Sequence, residues 1–244
     1  MPALLATAII LPASANAADL LEPAVIEVPE VVTEAKSGWY LRGDITYDFQ
    51  EIDDAYAFTN VPTGFRTTDL DDAFDLGIGV GYQITDYFRV DATLEYVFEA
   101  DFNGTFDCGA CAGGVTNESA KVSQLRLLAN AYADLGTFNG ITPYLGVGIG
   151  GTHVEVTDYT QSSAVPPQSP RHRNEDSWRF TYALHAGLSY AISHNVKFDL
   201  GYSYADTEGG PFAGYSLDTN ISDPQIYDEG IESHIIRAGL RYSW

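Results

Sequence analysis

His234-Ile235-Ile236-Arg237-Ala238-Gly239-Leu240-Arg241-Tyr242-Ser243-Trp244, the last stretch of the sequence, alternates in polarity with period two. His234, Ile236, Ala238, Leu240, Tyr242 and Trp244 share one face, and Ser233, Arg237, Gly239, Arg241 and Ser243 share the other, because successive side chains of a β-strand point to opposite sides. A strand with one apolar and one charged face suits a sheet that has hydrocarbon on one side and polar contents on the other. That condition is met in a transmembrane barrel.

The pattern recurs upstream. Trp39, Leu41, Ile45, Tyr47 and Phe49 oppose Tyr40, Arg42, Asp44, Thr46 and Asp48; Phe74 to Ile84 and Phe88 to Phe98 repeat it across the short link Thr85-Asp86-Tyr87, a hairpin turn. Further strands are expected around Gln124 to Leu135, Pro143 to Gly150, Trp178 to Ile192 and Val196 to Tyr204, which with the terminal strand make eight. The fold expected is therefore all-β, an eight-stranded antiparallel transmembrane β-barrel. Connections 50–71, 99–120, 156–176 and 205–230 read as long external loops, and 85–87, 136–140 and 193–195 as short periplasmic turns. Trp39, Tyr82, Phe88, Tyr190, Phe198, Tyr242 and Trp244 would girdle the periplasmic interface, and Tyr47, Phe74, Tyr96, Trp178 and Tyr204 the outer one.

Charge separates the inside from the rim. Seven basic residues, Arg42, Arg89, Arg126, Arg179, Lys197, Arg237 and Arg241, fall on the polar face with seven acids, Asp44, Asp48, Asp75, Asp91, Glu95, Asp134 and Asp199. Buried charges persist when paired, and a barrel of eight strands is just wide enough to be filled by its own side chains, so lumen ion pairs are expected in place of an open channel. Eighteen acids against three basic residues fall in the four long connections and account for most of the net charge of −22. That acidity argues against a nucleic-acid partner.

Residues 1–18, with the apolar run Leu4 to Leu11 and the small residues of Ala15-Asn16-Ala17, read as an export signal, and the missing basic start suggests that translation begins upstream. Residues 19–37, with Pro23, Pro29 and five acids, read as a periplasmic tether, leaving 38–244 for the barrel.

Gly38-Trp39-Tyr40-Leu41-Arg42-Gly43-Asp44, Asn130-Ala131-Tyr132-Ala133-Asp134-Leu135-Gly136, Thr142 to Gly150 and Arg237 to Trp244 resemble the eight-stranded outer-membrane barrels of the OmpA, OmpX and opacity-protein type, especially the small porin-family surface proteins of alphaproteobacteria. The resemblance implies residence in the bacterial outer membrane among phospholipid and lipopolysaccharide. It also implies assembly by the barrel-insertion machinery, which reads the closing aromatics, here Tyr242 and Trp244, where the family most often has Phe. Unlike full-length OmpA relatives, the sequence is expected to hold the barrel without a peptidoglycan-binding domain.

Other motifs carry less. Cys108-Gly109-Ala110-Cys111 is expected to be a loop disulfide, since exported thiols oxidise and no partner ligands for a metal stand nearby. His185 and Ser189 share one face but lie about 13 Å apart along a strand, too far for a base and its nucleophile, and His185 is expected beside an interior acid. Asp53, Asp54, Asp69, Asp71 and Asp72 offer hard oxygens to a divalent cation, although solvated acidic loops are the simpler reading. No cofactor is expected, and no enzyme. The function expected is a structural or surface role, with a narrow ion channel, an adhesin or receptor, and a lipid hydrolase as the competing classes.

Overall fold

The computed structural model of the chain describes residues 38–57, 63–107, 114–164, 167–168, 172–214 and 225–244; the export signal, the tether and both cysteines lie outside them. Eight long strands, β1 (Gly38–Ile52), β4 (Ala73–Gln83), β5 (Phe88–Asp107), β6 (Val115–Asp134), β7 (Ile141–Ala164), β9 (Glu175–Ala191), β10 (Val196–Glu208) and β13 (Gly230–Ser243), pair antiparallel each with the next. The ring closes where β1 meets β13, with Asp44 opposite Gly239 and Ile52 opposite Ile231. Closure leaves no strand edge in the hydrocarbon, where an unpaired backbone group is costly.

Local chemistry makes the periplasmic turns short. The Thr85 hydroxyl accepts hydrogen bonds from the amides of Tyr87 (3.2 Å) and Phe88 (3.1 Å), and the Ser193 hydroxyl accepts from Val196 (3.1 Å). Asn139 and Gly140 both take positive φ, 51° and 83°, at the tip of the turn that leads into β7.

The period-two expectation holds through the membrane. Trp39, Leu41, Ile45, Phe74, Ile78, Leu145, Leu184, Leu240 and Trp244 are exposed outward, whereas Arg42, Asp44, Arg89, Glu95, Arg126, Arg237 and Arg241 are buried in the lumen. Small residues make room for them: a Cβ at Gly81 would run into the Tyr40 ring, and one at Gly239 into the Asp44 carboxylate. Ile235, on the charged face of β13, is instead gathered with Leu128, Ala183 and Ala205 into a small apolar island within the lumen.

The external connections depart from expectation, because much of what reads as loop is sheet. β5, β6 and β7 continue far past the membrane, and five short strands join them: β2 (Ala55–Ala57), β3 (Thr63–Leu70), β8 (Pro167–Gln168), β11 (Pro211–Ala213) and β12 (Ile226–Asp228). Outside the membrane the sheet runs β7-β6-β5-β3-β2-β12-β11. Its far edge is stitched back to β7 through His172 and Arg173, by His172 N–H to Tyr159 O (3.1 Å) and Gly214 N–H to Arg173 O (3.2 Å). The result is a cap on the membrane barrel that shares its strands.

The physical reason is an inversion of polarity. Above the lumen charges the inner face becomes apolar, with Ile52, Val97, Ala100, Phe102, Val122, Val154, Val156, Phe212 and Ile231 forming one buried cluster, while Glu99, Asp101, Asn103 and Ser119 face water. Burying each large apolar side chain stabilises the cap by about 1.5–3 kcal/mol, which sustains strands where lipid no longer does. A β-bulge in β5 between Val97 and Ala100 marks the change: Phe98 and Glu99 are consecutive yet both exposed, one the last lipid-facing aromatic and the other the first water-facing acid.

Candidate functional site: a charged lumen beneath an apolar cap

Three tiers of charge fill the barrel. Nearest the periplasm, Arg89 Nε meets Asp134 Oδ1 at 3.1 Å, and Arg241 Nη2 meets Asp199 Oδ1 at the same distance while donating to Ser189 Oγ at 2.9 Å. The Arg89 guanidinium also lies 4.1 Å from the Tyr132 ring centre and 4.7 Å from that of Tyr144. In the middle tier Arg42 grips both oxygens of Asp44 at 2.9 Å and reaches Asp91 Oδ2 at 3.1 Å, the two-pronged geometry that a planar guanidinium favours. Arg237 bridges Asp44 and Glu95. In the upper tier Arg126 contacts Asp48 (3.2 Å) and Glu95 (3.4 Å).

Two of the expected lumen residues behave differently. Asp75 is fully buried, but among the described residues no cation lies within 4.0 Å of it and neither of its oxygens has a hydrogen-bond partner. The register explains the isolation: Asp75 stands opposite Thr46 on β1 and Val97 on β5, neither of them basic. Arg179 pairs with Asp228 at 2.7 Å, an acid of β12 within a stretch that reads as loop, so its role is to tie the cap to the barrel.

Cross-strand pairing also creates a constellation that spacing along one strand hides. Ser203 on β10 sits opposite His185 on β9. The His185 Nδ1 lies 2.8 Å from Ser203 Oγ, and its Nε2 lies 3.1 Å from Asn130 Oδ1. The expected interior acid is not its hydrogen-bonding partner. Hydroxyl, imidazole and amide in series have the connectivity of a serine hydrolase triad, but all three are buried, the barrel wall stands between them and lipid, and the imidazole packs on Tyr132. Ser189, the hydroxyl on the same strand as His185, serves Asp199 and Arg241 instead.

The cap has its own polar centre. Glu118 is buried and accepts hydrogen bonds from Thr116 Oγ1 (2.6 Å), Tyr159 OH (2.9 Å) and Gln161 Nε2 (3.0 Å). Burial lifts its carboxyl above the ordinary glutamate range, against the pull of these donors. Beside it His172 packs edge-on to Tyr159, with ring centres 4.9 Å apart, and its Nδ1 lies 2.9 Å from Gly214 O.

The acids picked out for a divalent cation do not converge. Asp53 and Asp54 are joined to the β12–β13 connection by Asp53 N–H to Gly230 O (3.3 Å) and Glu229 N–H to Asp54 O (2.8 Å). Asp69 lies opposite Asn103, Asp71 N–H reaches Asp101 O (3.0 Å), and Asp72 accepts from Tyr47 OH (3.0 Å). Among the described residues no three acids, histidines or cysteines come together as metal ligands. Strand pairing, which sequence spacing does not encode, sends the two groups to different neighbours.

Tyr242 and Trp244 stand exposed on the lipid side at the periplasmic end of β13, their rings 6.4 Å apart. Comparison with known proteins agrees with this architecture. An uncharacterized protein of Brucella abortus is 33% identical over 268 aligned positions, covering 95% of this chain and 93% of its own. A Rickettsia bellii protein whose name marks it as a candidate adhesin is 30% identical over 70% of this chain and 75% of its own. Among solved structures, the outer membrane protein OprG of Pseudomonas aeruginosa aligns with a TM-score of 0.48 at 18% identity, covering 85% of this chain and 97% of OprG. Residues 3–243 match the outer membrane protein beta-barrel domain, and the chain belongs to that family of bacterial outer membrane proteins.

Proposed function

We propose that this barrel is a sealed, non-enzymatic surface protein: the membrane portion anchors and the cap meets the exterior. The observation that carries the reading is the stacking of two unlike fillings on the same strands. Ions would have to part the arginine–carboxylate pairs of the lumen and then cross the apolar cluster of the cap, whose buried polar centre at Glu118 is already hydrogen-bonded to Thr116, Tyr159 and Gln161. An adhesive role is the form of surface function that the Rickettsia bellii relative's name supports. In this reading lipopolysaccharide surrounds the outer rim, and Tyr242 and Trp244 serve the assembly machinery.

Planar-bilayer recording of the refolded protein tests the seal. No steady conductance is expected, and large, stable single-channel steps would establish a porin instead. The enzyme alternative is checked on lipid and lipid A substrates: no acyl hydrolysis is expected from wild type. Hydrolysis that disappears in Ser203→Ala would make the enclosed triad a working one.

A further inference from the structure

The charge of the lumen does not balance, and one of its carboxylates has no cation beside it. Below the cap, seven carboxylates and five arginines are buried, with Lys197 half-buried near the periplasmic mouth. Six of the carboxylates have an arginine within 4.0 Å; Asp75 has none among the described residues. Five arginines serve these six, since Arg42 holds both Asp44 and Asp91 while Asp48 and Glu95 share Arg126 and Glu95 also holds Arg237; counted with Lys197, one negative charge is left over, and Asp75 is the carboxylate with no cation beside it.

The atoms around it point the same way. Thr46, Asp75, Val97 and Gln124 form one row across β1, β4, β5 and β6, and Asp48 is the next inward residue on β1. Besides both oxygens of Asp75, Thr46 Oγ1, Asp48 Oδ1 and Gln124 Oε1 are buried without a hydrogen-bond partner, as are the nitrogens Gln50 Nε2 and Arg126 Nε. Thr46 and Gln124 are each 2% exposed. An isolated buried charge is too costly to persist uncompensated. A proton on Asp75 would remove its charge without bridging it to Asp48. A hard cation contacts several oxygens at once.

We propose that this row is a binding site for one alkali-metal cation, sodium or potassium, held between Asp75 and Asp48 with Thr46 and Gln124 completing its oxygen shell. One residual negative charge calls for a monovalent ion. The cap lies directly above the site, so the ion is acquired as the barrel closes and is retained afterwards.

The experiment is to refold the full chain in detergent with sodium, potassium or rubidium chloride, or with N-methyl-D-glucamine chloride at the same ionic strength, and to follow thermal unfolding. The alkali salts should raise the midpoint by about 3 °C or more over the organic cation, and Asp75→Asn should abolish the difference. Crystals grown in rubidium should show an anomalous peak beside the Asp75 carboxylate, a readout on wild type that stands even if Asp75→Asn fails to assemble. Equal midpoints in all four salts, or density at that position without anomalous signal, overturns the proposal. An infrared band of a protonated carboxyl that vanishes in Asp75→Asn would assign the neutralising charge to a proton instead.

Discussion

Replacing Arg126 by Met would test whether the lumen is as dry as its packing implies. Arg126 is fully buried and donates to Asp48 (3.2 Å), Glu95 (3.4 Å) and Ser233 (3.3 Å). Methionine keeps much of the length and removes the charge. Glu95 retains Arg237, but Asp48 is left with no basic side chain within 4.0 Å among the described residues, beside an Asp75 that has none either. Removing one partner of a buried pair costs about 3–5 kcal/mol, most of it the penalty of the abandoned charge. The double variant Arg126→Met, Asp48→Asn removes that charge as well and should recover to within about 2 kcal/mol of wild type. Reversible denaturant unfolding in lipid vesicles measures both. A loss below about 1 kcal/mol in the single variant would mean that water already screens the lumen, and the sealed reading would fall with it.

Other outcomes follow from the cap and from the last strand. Phe102 is fully buried, 4.7 Å from Phe212 between ring centres; Phe102→Ala should cost about 3–5 kcal/mol and make the cap protease-sensitive while the heat-modifiable gel shift of the membrane barrel persists. Since burial raises the folded carboxyl of Glu118, the folded cap holds that proton more tightly than the unfolded one. The stabilising contribution is therefore full below the unfolded pKa and lost as pH rises through the folded value. Protease resistance of the cap should increase as pH falls from neutral toward the ordinary glutamate range, and an unchanged slope in Glu118→Gln would remove Glu118 as its source. Trp244→Ala should lower the amount of assembled barrel at the cell surface and Trp244→Phe should preserve it; equal surface levels would remove this aromatic from assembly.

The membrane half was legible in the sequence because lipid imposes one rule on every strand, apolar outward and polar inward, and Tyr40 to Asp48 or Ile236 to Trp244 obey it. Beyond Gln50 and Gln124 the solvent changes sides. Phe102 and Val122 then point inward, Asn103 and Ser119 outward, and a template that expects apolar residues outside reads such stretches as loop. Bulges in β5 and β6 also shift the phase of the alternation where the rule reverses. Lumen membership was likewise legible, strand by strand, but partnership was not. Whether His185 meets an acid or Ser203, and whether Asp75 meets an arginine or Thr46, depends on register between strands, which one sequence does not carry.

β5, β6 and β7 each run as one strand from the short-turn rim into the cap, paired from Phe88 opposite Ala133 out to Asp107 opposite Val115, and from Asp134 opposite Tyr144 out to Asn117 opposite Ser162, with one bulge in each ladder. Their ladder hydrogen bonds lie across the strands, so a force applied at the outer ends of β5 and β6 is borne in shear by many bonds together rather than peeled from one at a time. The part that would be pulled and the part that holds are the same strands. A cell tethered through this cap would be moored by a rigid post, and any strain large enough to deform it would travel along β5 past Phe102 to the lumen charges Glu95 and Arg89 on the same strand.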